Sequence, residues 1–251
     1  MKREFKNHFS DKSEDYEKYR PHYPEELFSY LASISEEHET AWDCATGTGQ
    51  SALSLTNYYS KIIASDTSES QIQNAVKNRK IKYVVASAEH SNLKSNSIDL
   101  ITVAQALHWF DIKLFTKEID RVLKKHGLLA VWTYNLLQIQ PDIDEVINHL
   151  YKTVLDEYWP KERRLVEEGY KSIFFPFEEL NPPSLQMSTE WNLSNLLGYL
   201  KTWSAVKKYQ LVKNLNPVES IKNDLSELWG DPERMISVTW PLSIKIWQKK
   251  T

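Results

Sequence analysis

The chain reads as an α/β domain built on a mostly parallel sheet, and three observations predict this. Apolar runs near 41–45, 61–66, 81–86, 98–104 and 127–134 alternate with helix-like runs near 49–59, 68–78 and 111–124. Such alternation implies right-handed crossovers between strands lying in parallel. Two of the six glycines, Gly47 and Gly49, sit one residue apart between the first apolar run and the first helical one. Acids, Asp43 and Asp66, close the first two apolar runs. Ligands of open α/β sheets bind at the C-terminal ends of strands, so both acids fall where a ligand is expected.

The elements follow in order. Residues 1–20 are polar with spaced aromatics and read as a loosely held arm; Pro21 and Pro24 break it, and 25–33 reads as a helix. Ser68 is a candidate N-cap for the helix after the second strand, Asp111 for the helix at 111–124, and Gly127 is a fair stop after Lys124-Lys125-His126. Beyond Asn135 the rhythm changes. Residues 142–158 and 193–213 look helical, 160–183 are charged and then proline-rich, and 236–249 alternates as two short extended segments around Pro241. The expected organisation is one domain over 1–251. It comprises an arm or lid (1–24), a cofactor core (25–135), a partial cap on the substrate side (136–235) and a terminal strand region (236–251).

The turn at Asp43-Cys44-Ala45-Thr46-Gly47-Thr48-Gly49-Gln50 is the most informative stretch. Glycine there lets a ligand approach the backbone closely and opens a helix N-terminus to polar groups. A plain tight turn needs glycine as well. Asp66 lies 17 residues beyond Gly49, close to the spacing of about 20 at which an acid reaches a ribose diol. Its competing role is capping the helix that follows. His108 is a candidate general base, or a structural histidine at a strand end.

The frame Asp43-x-Ala45-x-Gly47-x-Gly49 resembles motif I of the class I S-adenosylmethionine-dependent methyltransferases, with Ala45 where that family usually has its first glycine. Ala88-Glu89, the run Ala104-Gln105-Ala106-Leu107-His108-Trp109-Phe110, the opening aromatic arm and residues 199–206 are similar to the type 11 branch and to its trans-aconitate methyltransferase-like enzymes. The core match covers about 40–135, with thinner flanks. The resemblance implies a Rossmann-like sheet closed by an antiparallel strand, for which 242–249 is suited, and helical cap or lid elements. It implies S-adenosylmethionine as cofactor and S-adenosylhomocysteine as product. The turn residues Asp43, Ala45, Thr46, Gly47 and Gly49 would then face the methionine part and ribose, with Asp66 and Thr67 at the ribose. Ser87 stands where the family commonly has an adenine-binding aspartate, so Ala88 backbone groups and Glu89 join it there. Glu89 is equally a helix-start acid. Gln105, His108 and Trp109 would border the reacting methyl group. Tyr16, Tyr19 and Arg20 would close over the cofactor, Arg20 on a carboxylate or else in a surface ion pair with Glu14 or Glu17.

Composition narrows the partners. A net charge of −3 and a pI near 6.2 imply no strongly basic face, so nucleic acid is not expected. The longest uncharged stretch, 127–141, is too short to span a bilayer, and no export-signal pattern opens the chain. The single Cys44 cannot pair internally, which fits a cytoplasmic setting, and reads as a space-filler rather than a nucleophile. Scattered histidines indicate no metal site. Trp159, Trp191, Trp203 and Trp229 are either walls of a pocket or core packing. The expected activity is methylation of a small molecule at oxygen, with an organic acid as acceptor and Arg20, Arg163, Arg164 or Lys201 holding further carboxylates. A nicotinamide-dependent oxidoreductase and a non-catalytic S-adenosylmethionine-binding protein are the alternatives. Oligomeric state is not legible.

Overall fold

The structure, a computed structural model, describes residues 21–250. Tyr16, Tyr19 and Arg20 lie outside the described residues, as do residues 1–20 of the arm or lid expected over 1–24. The chain forms two compact units. The larger takes Tyr23–Tyr134, Arg164–Leu185 and Leu242–Thr251; the smaller includes Asn135–Arg163 and Gln186–Pro241.

In the larger unit, β1 (Thr40–Cys44), β2 (Lys61–Asp66), β3 (Ile81–Val85), β4 (Ile98–Ala104) and β5 (Leu123–Tyr134) pair in parallel in the order β3-β2-β1-β4-β5. Beside β5, residues Leu242 to Gln248 of β8 (Ile236–Gln248) run antiparallel, and β6 (Glu178–Leu180) pairs antiparallel with β8. Side chains alternate between faces, as strand geometry demands. On one face, Leu27, Phe28 and Leu31 of α1 (Glu25–Ile34) and Ala52 and Leu55 of α2 (Gln50–Leu55) pack on Ala41, Ile62, Leu100 and Trp132. α3 (Glu69–Gln73) follows β2. On the other face, Phe115, Ile119 and Val122 of α4 (Ile112–Val122) pack on Trp42, Ile101, Val103 and Val131. This is the expected α/β sheet with its antiparallel strand.

Several boundaries differ from the sequence reading. α3 ends at Gln73 rather than near 78, because the Val76 N–H turns to the Thr48 carbonyl at 3.2 Å. α4 ends at Val122, and Leu123 already begins β5, so Gly127 does not stop the helix. Gly127 is there for space: a Cβ on it would stand 3.0 Å from the Lys124 carbonyl oxygen and 3.1 Å from that of Ile98. The two segments expected around Pro241 are one strand, β8. Proline is tolerated because β8 changes partner there: Ile236 to Pro241 pair with β7 (Gln186–Trp191), and the residues after Pro241 pair with β5.

The smaller unit holds α5 (Pro141–His149), which runs on through a π turn (Leu150–Val154) and a 3-10 turn (Asp156–Tyr158). α6 (Arg163–Glu167) begins at its boundary. The helix expected over 193–213 is two, α7 (Leu193–Lys201) and α8 (Ser204–Lys213), separated where Trp203 takes an extended backbone. α9 (Lys222–Trp229) packs on α5 and α7. Trp191, Trp203, Trp229 and Trp240 are buried, so three of the four singled-out tryptophans are core packing; Trp159 is half-buried. No helix among the described residues is long and apolar enough to cross a membrane.

Two ion-pair networks tie the larger unit's loops. Lys124 Nζ sits 2.7–2.8 Å from Glu37, Glu39 and Asp99, and Asp99 accepts the backbone N–H groups of Glu39 and Thr40, pinning the start of β1 to β4. Glu118 on α4 accepts from Ser91 N–H at 2.9 Å and from the Ser91 hydroxyl, and forms a two-pronged pair with Arg121. Burial would raise the Glu118 carboxyl, but Arg121 and Ser91 outweigh it and hold it down at about 2. A depressed acid stabilises the fold above its unfolded value and loses that stabilisation as pH falls toward its folded one. Glu118→Gln should therefore cost on the order of 2 kcal/mol at pH 6, discounted for the exposure of Arg121. The difference from wild type should close between about pH 4.5 and 2, as read from urea denaturation. A pH-independent difference would mean the carboxylate charge plays no part.

Candidate functional site

The C-terminal ends of β1, β2, β3 and β4 gather the residues singled out from sequence. Asp43 is buried near the end of β1. Its Oδ1 accepts from Thr102 Oγ1 on β4 at 2.7 Å, and its Oδ2 accepts from Thr46 Oγ1 at 2.5 Å. Burial pushes its carboxyl up to about 6, with the nearby Asp66 charge adding to the rise and the two threonine hydroxyls opposing it. Thr102 is a residue that sequence reading missed. The signal was present: a lone hydroxyl in the apolar strand Ile98–Ala104 needs a buried partner, and Thr102 pairs in register with Asp43.

The backbone turns left-handed at Ala45 (φ 56°), Gly47 (φ 57°) and Gly49 (φ 92°). At Ala45 this costs about 1 kcal/mol that glycine would not incur. The departure from the family's glycine is thus a strained alanine and not only a matter of room. At Gly47 a Cβ would meet, among the described residues, only Gln71 Oε1, 4.0 Å away. At Gly49 a Cβ would stand 2.2 Å from the Tyr83 hydroxyl, so Gly49 serves packing as well as φ.

Asp66, half-buried at the end of β2, grips this turn. Its Oδ2 accepts the Gly47 N–H at 2.9 Å, and its Oδ1 accepts the Ser68 N–H at 2.8 Å. Ser68 is the N-cap of α3, accepting the Gln71 N–H, and Asp66 is not. A carboxylate has about four lone-pair positions, and these two N–H groups are the hydrogen-bond partners of the Asp66 carboxylate among the described residues. Thr67 is exposed beside it.

After β3, Ser87 and Ala88 pass the same end of the sheet, with Ala88 buried. The Ser87 side chain is half-buried. Glu89 accepts the backbone N–H of Asp111 at 3.0 Å and so steadies the start of α4, which Asp111 caps through the Leu114 N–H. After β4, Gln105 is left-handed (φ 55°). Its amide is tied to β5: Nε2 donates to the Tyr134 carbonyl at 3.1 Å, and Oε1 accepts from Thr133 Oγ1. His108 Nδ1 is hydrogen-bonded to the Tyr170 hydroxyl at 2.9 Å and stacks on its ring; Trp109 is half-buried against His108. Tyr170 was not foreseen, because 62 residues separate it from His108. Cys44 is buried, and burial raises its thiol well above the usual value, which suits packing.

A left-handed glycine with no described side chain closer than Gln71, beside a half-buried carboxylate at the end of β2, fits a ribose-bearing ligand. Comparison with known proteins agrees. Residues 42–131 match the methyltransferase domain family. A Dictyostelium discoideum protein assigned as a methyltransferase is 32% identical over 254 residues, covering 98% of this chain and 96% of that one. The chain belongs to the class I S-adenosylmethionine-dependent methyltransferases. A solved structure from Anaeromyxobacter dehalogenans, assigned as a type II methyltransferase, is 38% identical with a TM-score of 0.87, covering 91% of this chain and 97% of that one. A Saccharomyces cerevisiae protein assigned as an S-adenosylmethionine-dependent methyltransferase, CRG1, is 27% identical over 152 residues, covering 56% of this chain and 51% of that one. The methyltransferase uses S-adenosylmethionine as its methyl donor, and the oxidoreductase alternative is set aside.

The raised Asp43 carboxyl sets a pH dependence opposite to that of Glu118. A folded value above the unfolded 3.8 gives stability that is complete below 3.8 and is lost as pH rises through about 6. Relative to Asp43→Asn, the ligand-free wild type should lose on the order of 2–3 kcal/mol between pH 4 and pH 7. Denaturation curves at both pH values measure this. A difference that stays constant or moves the other way would show Asp43 ionised without penalty.

Proposed function

We propose that this methyltransferase alkylates a carboxylate oxygen of a small organic acid. One observation carries the reading: three titratable side chains at the strand ends, His108, Asp43 and Glu89, each make hydrogen bonds within the fold. His108 Nδ1 is bonded to Tyr170, Asp43 lies buried between two threonine hydroxyls, and Glu89 holds the Asp111 amide. A carboxylate acceptor, with a pKa near 4, is ionised at neutral pH and asks for no base. The resemblance to trans-aconitate methyltransferase-like enzymes supports the same acceptor class. A cytoplasmic location is proposed alongside, on the lone buried Cys44.

The bound donor supplies an activated methyl group: an acceptor lone pair forms the O–C bond as the C–S bond breaks and its electron pair passes to sulfur. The chain's residues then have to align and exclude water. We assign Asp66 and Thr67 to the ribose, and the turn at Asp43, Ala45, Thr46, Gly47 and Gly49 to the methionine part and ribose. Ser87, Ala88 and Glu89 take the adenine side. Gln105, His108 and Trp109 border the methyl group. Gln105 contributes backbone here, since its amide is bound to β5. Tyr16 and Arg20 are proposed to close over the cofactor.

Asp66→Ala should weaken S-adenosylmethionine binding by about 1.5–3 kcal/mol, the range for hydrogen bonds to a charged group. Calorimetry on the folded variant measures it, and unchanged affinity would leave Asp66 as a brace of the turn alone. For the acceptor, the rate should be nearly flat from about pH 6 to 9, and His108→Asn should keep most of the chemistry. The product should be an ester cleaved by mild base. A base-stable product would sink the carboxylate acceptor and leave methyl transfer intact.

A further inference from the structure

The last turn of α8 runs past its support. Ala205 and Val206 are buried, and Tyr209, one turn on, is half-buried with its ring 4.9 Å from that of Tyr158. Helical spacing would continue this stripe at Val212 and Lys213. Both are exposed instead, Val212 to 64%. Leu211, on the far side of the helix from that stripe, is 87% exposed. The helix closes on Asn214, whose backbone is left-handed (φ 54°), and Leu215 beyond it is 66% exposed. A single exposed apolar side chain is ordinary. Three aliphatic side chains within five residues at one helix end form a patch.

The same stretch is basic. Ser204 to Asn216 holds Lys207, Lys208 and Lys213 and neither aspartate nor glutamate. Lys207 and Lys208 stand one turn before Leu211, so cations and apolar tips share a face. All three lysines are exposed, and none has an ion pair among the described residues. Lys213 complements the carbonyl end of the helix, but Lys207 and Lys208 lie in its first half, where the helix dipole gives a cation nothing. The elements packed on α8 are α7, which has no acid, the 3-10 turn Asp156–Tyr158 and a second one, Pro217–Ser220. Glu219 of the latter is held by Lys201 and Lys222 at 3.2 and 3.8 Å. Neither Asp156 nor Glu157 pairs with a lysine of α8.

This chemistry selects among possible occupants. Protein interfaces are enriched in aromatic residues, methionine and arginine and depleted in lysine, and leucine and valine are under-represented among their energetic anchors. Here the face is lysine, leucine and valine, and the aromatic residue of α8, Tyr209, is against Tyr158. A second copy placed symmetrically would set lysines against lysines. A bilayer surface with anionic headgroups matches both halves of the face. Aliphatic tips enter the acyl boundary while ammonium groups stay at headgroup level on their long stems. A helix of 10 residues cannot cross a bilayer, but lying on one makes no such demand.

We propose that the end of α8, from Lys207 to Leu215, is a docking surface for an anionic lipid bilayer. Leu211, Val212 and Leu215 enter the boundary between headgroups and acyl chains, and Lys207, Lys208 and Lys213 meet the lipid phosphates and carboxylates. Contact is peripheral and reversible, because three side chains bury too little apolar surface to hold without the charges. The face lies wholly in the smaller unit, and the inference is independent of the methyl acceptor.

The test is co-sedimentation of the full chain with vesicles of phosphatidylcholine alone and with about one-third phosphatidylserine, in about 0.1 M salt. Wild type should bind the phosphatidylserine vesicles at least about tenfold more tightly, and about 0.5 M salt should abolish the preference. Leu211→Ser with Leu215→Ser should weaken binding about tenfold. Lys207→Gln with Lys208→Gln should do the same and remove most of the salt dependence. All four positions are exposed, so S-adenosylmethionine affinity should stay within about twofold of wild type in both variants. Leu211→Ser alone serves if a double variant fails to fold. The proposal is overturned if wild type shows no preference for phosphatidylserine vesicles, or if both variants bind them as wild type does. Light scattering without vesicles tests the rival occupant. A concentration-dependent dimer that Leu211→Ser with Leu215→Ser abolishes would give the face to a second copy and overturn the lipid assignment.

Discussion

The geometry of the strand ends depends on one buried carboxylate. Asp43 sits out of water between a hydroxyl from β4 and a hydroxyl from the turn that follows β1. Two central strands and the turn are thereby fastened at one point. The cost is visible in the carboxyl, which burial pushes up to about 6. A hydrophobic residue there would remove that cost but also the link, because the turn offers only a hydroxyl and backbone amides at this place. The chain keeps a destabilised acid where its hydrogen bonds tie Thr46 of the turn to Thr102 of β4.

A second carboxylate completes the clamp from the neighbouring strand. Asp66 reaches back to the Gly47 N–H while Asp43 holds Thr46. The turn is gripped from β1 and β2 at once, and the left-handed residues Ala45, Gly47 and Gly49 are the backbone answer to being pulled from both sides. The Thr46, Gly47 and Gly49 N–H groups are themselves taken up by Ser65, Asp66 and Thr46, so the turn's own hydrogen bonds fix its path before any ligand arrives. The two acids also oppose each other electrostatically, since Asp66 contributes to raising Asp43. The clamp therefore combines like charges at a functional turn, where local strain is commonly stored.

This arrangement suits a reaction that asks for alignment more than for proton transfer. Methyl transfer needs nucleophile, carbon and leaving sulfur in line, and effective molarity supplies much of the rate; the carboxylate acceptor proposed above would ask for no proton transfer. Side chains at the strand ends are engaged within the fold. Gln105 braces β5, Glu89 braces the start of α4, and His108 pairs with Tyr170. In the smaller unit, by contrast, Arg163 is a cation held by aromatics rather than by an acid.

The sheet was legible because its signals are local. Alternating apolar runs place β1 to β4 within a residue of where they stand, and Gly47 and Gly49 mark a turn whose φ values require them. Ser68 and Asp111 cap helices as their chemistry predicts. Legibility fails where long-range contacts decide. Nothing near Val76 says that its N–H will leave the helix for the Thr48 carbonyl. Pro241 reads as a break, and only the change of partner from β7 to β5 lets the strand pass through it. Trp203 interrupts a helical pattern because its ring packs against Tyr151, Trp159 and Tyr199, residues up to 52 positions away. The same logic separates the strand-end acids from Arg163. Asp43 and Asp66 announce themselves beside glycines in a strand-to-helix turn, whereas Arg163 looks like any surface arginine until Tyr151 and Trp159 are brought to it. A turn built on backbone geometry leaves its mark in the glycine pattern; a cluster of side chains gathered by packing leaves almost none.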